Sequence, residues 1–112
     1  MRVFGIPNCG SVKKARVLLE ERGIDYEFVD FKKSPPSTAL IESWVEQAGI
    51  ETVLNKRGTT WRKLDEAQKA QTDTAQLIAL MAEQPSLIKR PVIEASAALI
   101  IGFDADQITN SL

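Results

Sequence analysis

The chemistry open to this chain is narrow. Among its 112 residues there is one cysteine, Cys9, and no histidine. A Cys/His metal centre within the chain and a histidine general base are both excluded, and no metal is expected. Reactive chemistry falls to Cys9, the carboxylates, the lysines and the arginines. A thiol attacks as its thiolate, so its surroundings decide whether it is a reagent. Cys9 lies in Pro7-Asn8-Cys9-Gly10, between a short apolar run and the first helical pattern. A residue there meets the unpaired amides of a first helical turn and the positive end of its dipole. A loop between strand and helix is also where such folds present function. Lys13, Lys14 and Arg16 follow in the first turns, while Glu20 and Glu21 close the helix. Both groups oppose the dipole preference, at about 0.3–1 kcal/mol per exposed charge. A cationic N-terminus suits a thiolate or an anionic substrate. It reads equally as a solvated basic face with Arg16 and Glu20 as an i,i+4 pair. For Cys9 the bland alternative is a small inert buried residue. Its position in a Pro-Asn-Cys-Gly loop favours the reactive reading.

Two further stretches concentrate donors. Arg57-Gly58-Thr59-Thr60-Trp61-Arg62 sets arginines around a loop with one large aromatic. Guanidinium forks match carboxylates and oxyanions, although Trp61 reads first as a packing anchor and Arg62 as solvated. In Leu87-Ile88-Lys89-Arg90-Pro91-Val92 a cation precedes a proline that starts a strand. A strand's first residue tolerates proline, and only about 5–6% of such bonds are cis. On these residues alone, Pro91 reads as a simple strand start.

The elements that must position these groups follow from periodicity and punctuation. Arg2 to Ile6 and Tyr26 to Phe31 read as strands flanking a helix opened by Ser11, with Val12, Ala15, Leu18 and Leu19 on one side and Gly23 as its stop. The three make a βαβ unit with parallel strands. Ser34-Pro35-Pro36-Ser37 marks a boundary. Ser37 is placed to cap a helix bearing Leu40, Ile41, Trp44, Val45 and Ala48, which Gly49 ends. A short turn over Thr52 to Asn55, a helix over Trp61 to Ala70, and a helix capped by Thr72 or Asp73 with Leu77, Leu80 and Met81 follow, ending at Pro85. Val92-Ile93-Glu94 and Leu99-Ile100-Ile101 read as an antiparallel hairpin, and Asp104 with Gln107 as a capping pair for a closing helix. The class is α/β: β-α-β, several helices, then β-β-α.

Composition bounds the rest. This length makes one domain without disulfide staples. Apolar content of 44% and charged content of 26% are ordinary for a globular protein. A formal net charge of −1 gives no basic excess toward nucleic acid or an anionic membrane, and neither is expected as a partner. No apolar run approaches the roughly 18 residues of a membrane span, and a cytoplasmic protein is expected.

Taken together, Gly5-Ile6-Pro7-Asn8-Cys9-Gly10-Ser11, Arg57-Gly58-Thr59-Thr60-Trp61-Arg62-Lys63-Leu64 and Leu87-Ile88-Lys89-Arg90-Pro91, in this order and spacing, resemble the arsenate reductase (ArsC) family of the glutaredoxin-coupled type. The likeness spans essentially the whole chain and is strongest to the Spx/YffB branch. It implies a thioredoxin-like fold, with a core of about residues 1–35 and 85–112 and an all-helical insertion of about 36–84. It implies that Cys9 is the nucleophile, that Arg90 helps to hold a bound anion, that Pro91 is a cis-proline facing the thiol, and that Arg57 is the arginine of the insertion loop. Two departures matter. True arsenate reductases of this type carry another arginine late in the chain, whereas Ile100-Ile101-Gly102-Phe103 has none. Spx-type regulators switch through a second cysteine three residues on, where this chain has Val12.

The expectation is therefore monothiol chemistry: a glutathione-dependent thiol reductase or thiol transferase. No cofactor is bound; glutathione is the co-substrate, a glutathionylated molecule the substrate, and glutaredoxin a further partner. Lys13, Lys14, Arg57 and Arg90 are expected to lower the thiol pKa and attract carboxylates, with Asn8, Gly10, Ser11 and Pro91 completing the anion or glutathione site and the Gly10–Val12 amides able to hold an anion. Reduction of arsenate or another oxyanion is the alternative activity. A non-enzymatic, Spx-like regulator that binds RNA polymerase is the third.

Overall fold

Strand β1, Arg2–Gly5, sends Val3, Phe4 and Gly5 into the interior. The computed structural model describes all 112 residues. After β1 the Cys9 N–H donates to the Ile6 carbonyl at 3.1 Å, closing a turn with Pro7 and Asn8 at its centre. Proline at the second position presets that turn. Helix α1, Gly10–Glu21, buries Val12, Ala15 and Leu19. It ends as a Schellman motif: Gly23 sits at φ 67°, its N–H donates to Glu20 and that of Ile24 to Leu19. Ile24 then packs against the core, the hydrophobic contact that accompanies this ending. Strand β2, Glu27–Asp30, runs parallel to β1 with Val3 opposite Phe28.

The chain divides into two compact units. One comprises Met1–Ser34 with Arg90–Leu112, the other Pro35–Lys89. The first is completed by β3, Val92–Glu94, β4, Leu99–Ile101, and helix α7, Ala105–Asn110. Its sheet has the order β2-β1-β3-β4, with β1–β3 and β3–β4 antiparallel. Val3, Ala15, Leu19, Ile93, Ile100 and Ile108 form its core. Arg2 and Glu94 face each other across β1 and β3 and close an ion pair at 2.6 Å. The Asp104 carboxylate caps α7, accepting from the Asp106 and Gln107 amides. Pairing and order are those of the thioredoxin-like arrangement anticipated from the sequence.

The second unit is helical: α2 (Thr38–Ala48), α3 (Ile50–Val53), α4 (Thr59–Arg62), α5 (Glu66–Lys69), α6 (Thr74–Glu83) and a 3₁₀ turn over Pro85–Leu87. Ser37 caps α2 through its Oγ, Asp73 caps α6, and Gly49 leaves α2 at φ 89°. Ile41, Trp44, Val53, Leu77, Met81, Leu87 and Ile88 are buried. On α6 the buried face takes Ile78, with Leu80 at its margin. The continuous helix expected over Trp61 to Ala70 is two short ones. Leu64 turns inward to be buried, and Asp65 opens α5 with a capping box shared with Gln68. The insertion also runs five residues past the expected Gln84. A Leu54–Ile88 bridge, with hydrogen bonds from Asn55 to Leu87 and from Lys89 to Val53, ties that segment to the helical unit. No helix is long and apolar enough to cross a membrane.

Candidate active site

Cys9 is the N-cap residue of α1, in extended conformation at φ −74° and ψ 128°. Its carbonyl accepts the first intrahelical bond, from the Lys13 N–H at 2.9 Å. The thiol is partly buried. Burial is the largest single influence on it and pushes its pKa up. The Val12 N–H, a hydrogen bond from the Arg90 side chain, the Ser11 N–H and the positive charge of Arg90 act the other way, and together they hold the thiol below its ordinary value. The two amides aim at sulfur without closing a full capping hydrogen bond. They act as oriented dipoles at a helix start.

Arg90 reaches Cys9 from two residues before β3. The Arg90–Pro91 bond is cis, and Pro91 is buried, so the residues-alone reading of a simple strand start does not hold. The Pro91 carbonyl accepts from the Gly102 N–H at 2.8 Å, which fixes the start of β3 against the end of β4. Gly102 is buried at φ 88°. An arginine there would need a left-handed backbone that L side chains avoid, a physical reason for one of the four late positions to lack one.

The structure brings Cys9, Ser11, Val12 and Arg90 together around the sulfur. Asn8 and Gly10 are exposed in the turn and first helical residue, and a Cβ at Gly10 would meet no atom within 4 Å. Lys13 and Lys14 are exposed, and the lowering of the thiol comes from the two amides and Arg90 rather than from them. The i,i+4 pair expected of Arg16 and Glu20 is replaced by a relay. Arg16 Nε donates to the Tyr26 hydroxyl at 3.0 Å, and that hydroxyl donates to Glu20 at 3.1 Å. The Arg16 guanidinium lies 4.2 Å from the Phe28 ring centroid, so this cation serves packing. Arg57 belongs to the helical unit, exposed in the loop before α4, where its N–H donates to Asn55 Oδ1 at 3.0 Å.

Sequence reasoning missed Gly5. A Cβ there would stand 2.6 Å from Val12 Cγ2, so glycine alone lets α1 lie this close to β1. The Val12 amide is one of the two aimed at sulfur, so that close approach sets where the amide points. A glycine ending an apolar strand just before a helix was the available signal.

Known proteins share this family and this fold. The ArsC family model matches residues 4–111. The solved structure of the YffB (PA3664) protein is 44% identical, with a TM-score of 0.95 over 99% of this chain and 97% of that one. An arsenate reductase (ArsC) related protein from Brucella melitensis is 40% identical, with a TM-score of 0.75 over 97% of this chain and 91% of that one. The global transcriptional regulator Spx of Streptococcus pyogenes is 32% identical over 108 residues, covering 95% of this chain and 80% of that protein.

Proposed function

The chain belongs to the ArsC family, and from that premise we propose that it is a glutathione-dependent thiol reductase, or thiol transferase, with Cys9 as its single nucleophile. The observation that carries the reading is the Arg90 side chain bonded to the only thiol in the chain, with the Val12 and Ser11 amides, which together favour the thiolate despite burial. The Cys9 thiolate attacks the glutathione sulfur of a glutathionylated substrate. The old S–S bond breaks as the new one forms, and the substrate leaves as a thiolate that takes up a proton. A second glutathione thiolate then attacks the Cys9 mixed disulfide, releasing glutathione disulfide and restoring the Cys9 thiolate. Arg90 stabilises the anion at the start and end of this cycle. Glutaredoxin acts as an alternative acceptor of the mixed disulfide, and the cytoplasm, with its thiol pool, is the compartment that fits. A Cys9→Ser variant is expected to lose thiol transfer from a glutathionylated substrate; full activity in that variant would sink the reading.

A second reading is reduction of arsenate or another oxyanion, favoured by the Brucella melitensis relative described as arsenate-reductase-related. Cys9 would form the first adduct. The absence of arginine from Ile100-Ile101-Gly102-Phe103 stands against it. Steady-state turnover of arsenate with glutathione and glutaredoxin separates the two. The Spx relative supports a regulator reading, which predicts co-purification with RNA polymerase and no thiol turnover.

A further inference from the structure

The sheet has two edges, and their side chains differ in kind. At one edge β2 opens with Glu27 and closes with Asp30, and Lys32 and Lys33 follow. Charges of that kind deter a further strand. At the other edge, residues 95–103 around β4 carry no charged side chain. Ala98 and Gly102 turn their backbone groups inward, Ala98 accepting from the Ala95 N–H at 3.0 Å and the Gly102 N–H donating to Pro91 at 2.8 Å. Ile100, opposite Ile93, shares that direction. Antiparallel alternation therefore points the N–H and C=O of Leu99 and Ile101 outward. No other segment bonds to them, because β4 ends the sheet. We infer that this edge pairs with the same edge of a second copy of the chain, in a two-fold dimer that joins two four-stranded sheets into one.

The register follows from the direction of these groups. A two-fold axis at Ile100 sets Leu99 opposite the partner's Ile101, and Ile101 opposite the partner's Leu99. Each pair exchanges both bonds, so every outward group finds a partner. Ile100 keeps its place in the core.

A second copy is the occupant this edge suits. About a two-fold axis each side chain meets its own kind, so a charge would be repelled by its copy. An uncharged edge meets no such penalty, and it offers nothing to steer a foreign strand by charge. Beside β4 a hollow of about 550 Å³ opens toward the end of α7, lined by uncharged side chains that include Ala97, Gln107, Asn110 and Leu112. Leu112 is one of the two large apolar side chains left exposed, Val17 being the other. Ile100 and Ile108 share one core, so α7 lies on the Ile100 face of the sheet. The axis keeps both copies of α7 on that face, and Leu112 and the hollow turn toward their counterparts, away from water. Closure at two copies leaves only the charged β2 edges outside.

The inference stands apart from the thiol reading, and the test runs in excess reductant so that Cys9 forms no disulfide. Sedimentation velocity, over concentrations rising to millimolar, is expected to show a monomer–dimer equilibrium. Amide exchange by NMR is expected to slow about tenfold at Leu99 and Ile101 when about nine-tenths of the chains are paired, with Ile100 already slow in the monomer. In Leu99→Lys the ammonium faces Glu94 on the neighbouring strand, so the fold tolerates it, and Ala98→Lys alters an exposed side chain. Each is expected to raise the dimer dissociation constant about tenfold. A chain that stays monomeric throughout overturns the inference. So does a dimer in which Leu99 and Ile101 exchange as fast as in the monomer, or one that both variants leave intact.

Discussion

A thiol at a helix N-cap faces two opposing demands. Removing it from water disfavours the thiolate, while helix amides and a nearby guanidinium favour it. At Cys9 burial is the strongest single influence, and only the sum of Val12, Ser11 and Arg90 overturns it. The sign has a consequence for stability. A thiol with a lowered folded-state pKa contributes stability above its unfolded pKa of about 8.5 and loses it as pH falls through the folded value. Native protein minus Cys9→Ser, compared by urea unfolding, should therefore gain stability as pH rises toward about 8.5 and level off above it. A difference that is flat or declining over that window would contradict the lowered thiol. Cys9 stands out in the sequence as the candidate nucleophile because it is the only thiol in the chain. The individual contributions to its pKa were not legible there. Lys13 and Lys14 lie nearer to Cys9 in sequence than Arg90, yet the long-range contact supplies the charge, and one-dimensional spacing carries no information about it.

At the scale of elements, local rules worked where short-range chemistry decides. Ser37, Asp73, Asp104, Gly23 and Gly49 end or begin helices in the manner their side chains and backbone freedom dictate. Gly23→Ala is expected to cost about 1 kcal/mol in urea unfolding, because φ 67° is a left-handed position. Rules failed where packing overrode them, as at Leu64, which is drawn inward and breaks the expected Trp61–Ala70 helix in two. The Gly5–Val12 approach belongs to the same class. Gly5→Ala is expected to destabilise by about 1–3 kcal/mol through overpacking, and Val12→Ala in the same chain should recover part of that loss, since Val12 Cγ2 is the atom struck. Additive losses in the double variant would contradict the packing explanation. The cis geometry at Pro91 was signalled by family resemblance and by no local feature. It joins Arg90, the thiol's charged partner, to a β3 start tied to Gly102.

For the whole molecule, a single cysteine sets the stoichiometry of any redox cycle. No intrachain disulfide can form, so any disulfide at Cys9 needs a thiol from another molecule. Incubation with glutathione disulfide is expected to give one mixed disulfide per chain by intact mass, released by added glutathione. A chain left unmodified under those conditions would count against thiol transfer. Element order and the β-α-β, β-β-α plan were legible from periodicity, because each strand and helix carries its own apolar pattern. The end of the insertion was not, because the Leu54–Ile88 bridge that assigns residues 85–89 to the helical unit joins segments far apart in sequence. The most direct test of the central claim is the pH dependence of Cys9 alkylation by iodoacetamide, in native protein and in Arg90→Met. The account predicts a midpoint below the free-cysteine value of about 8.5 that moves upward when Arg90 is replaced. A native midpoint at or above that value, or one indifferent to Arg90, would contradict it.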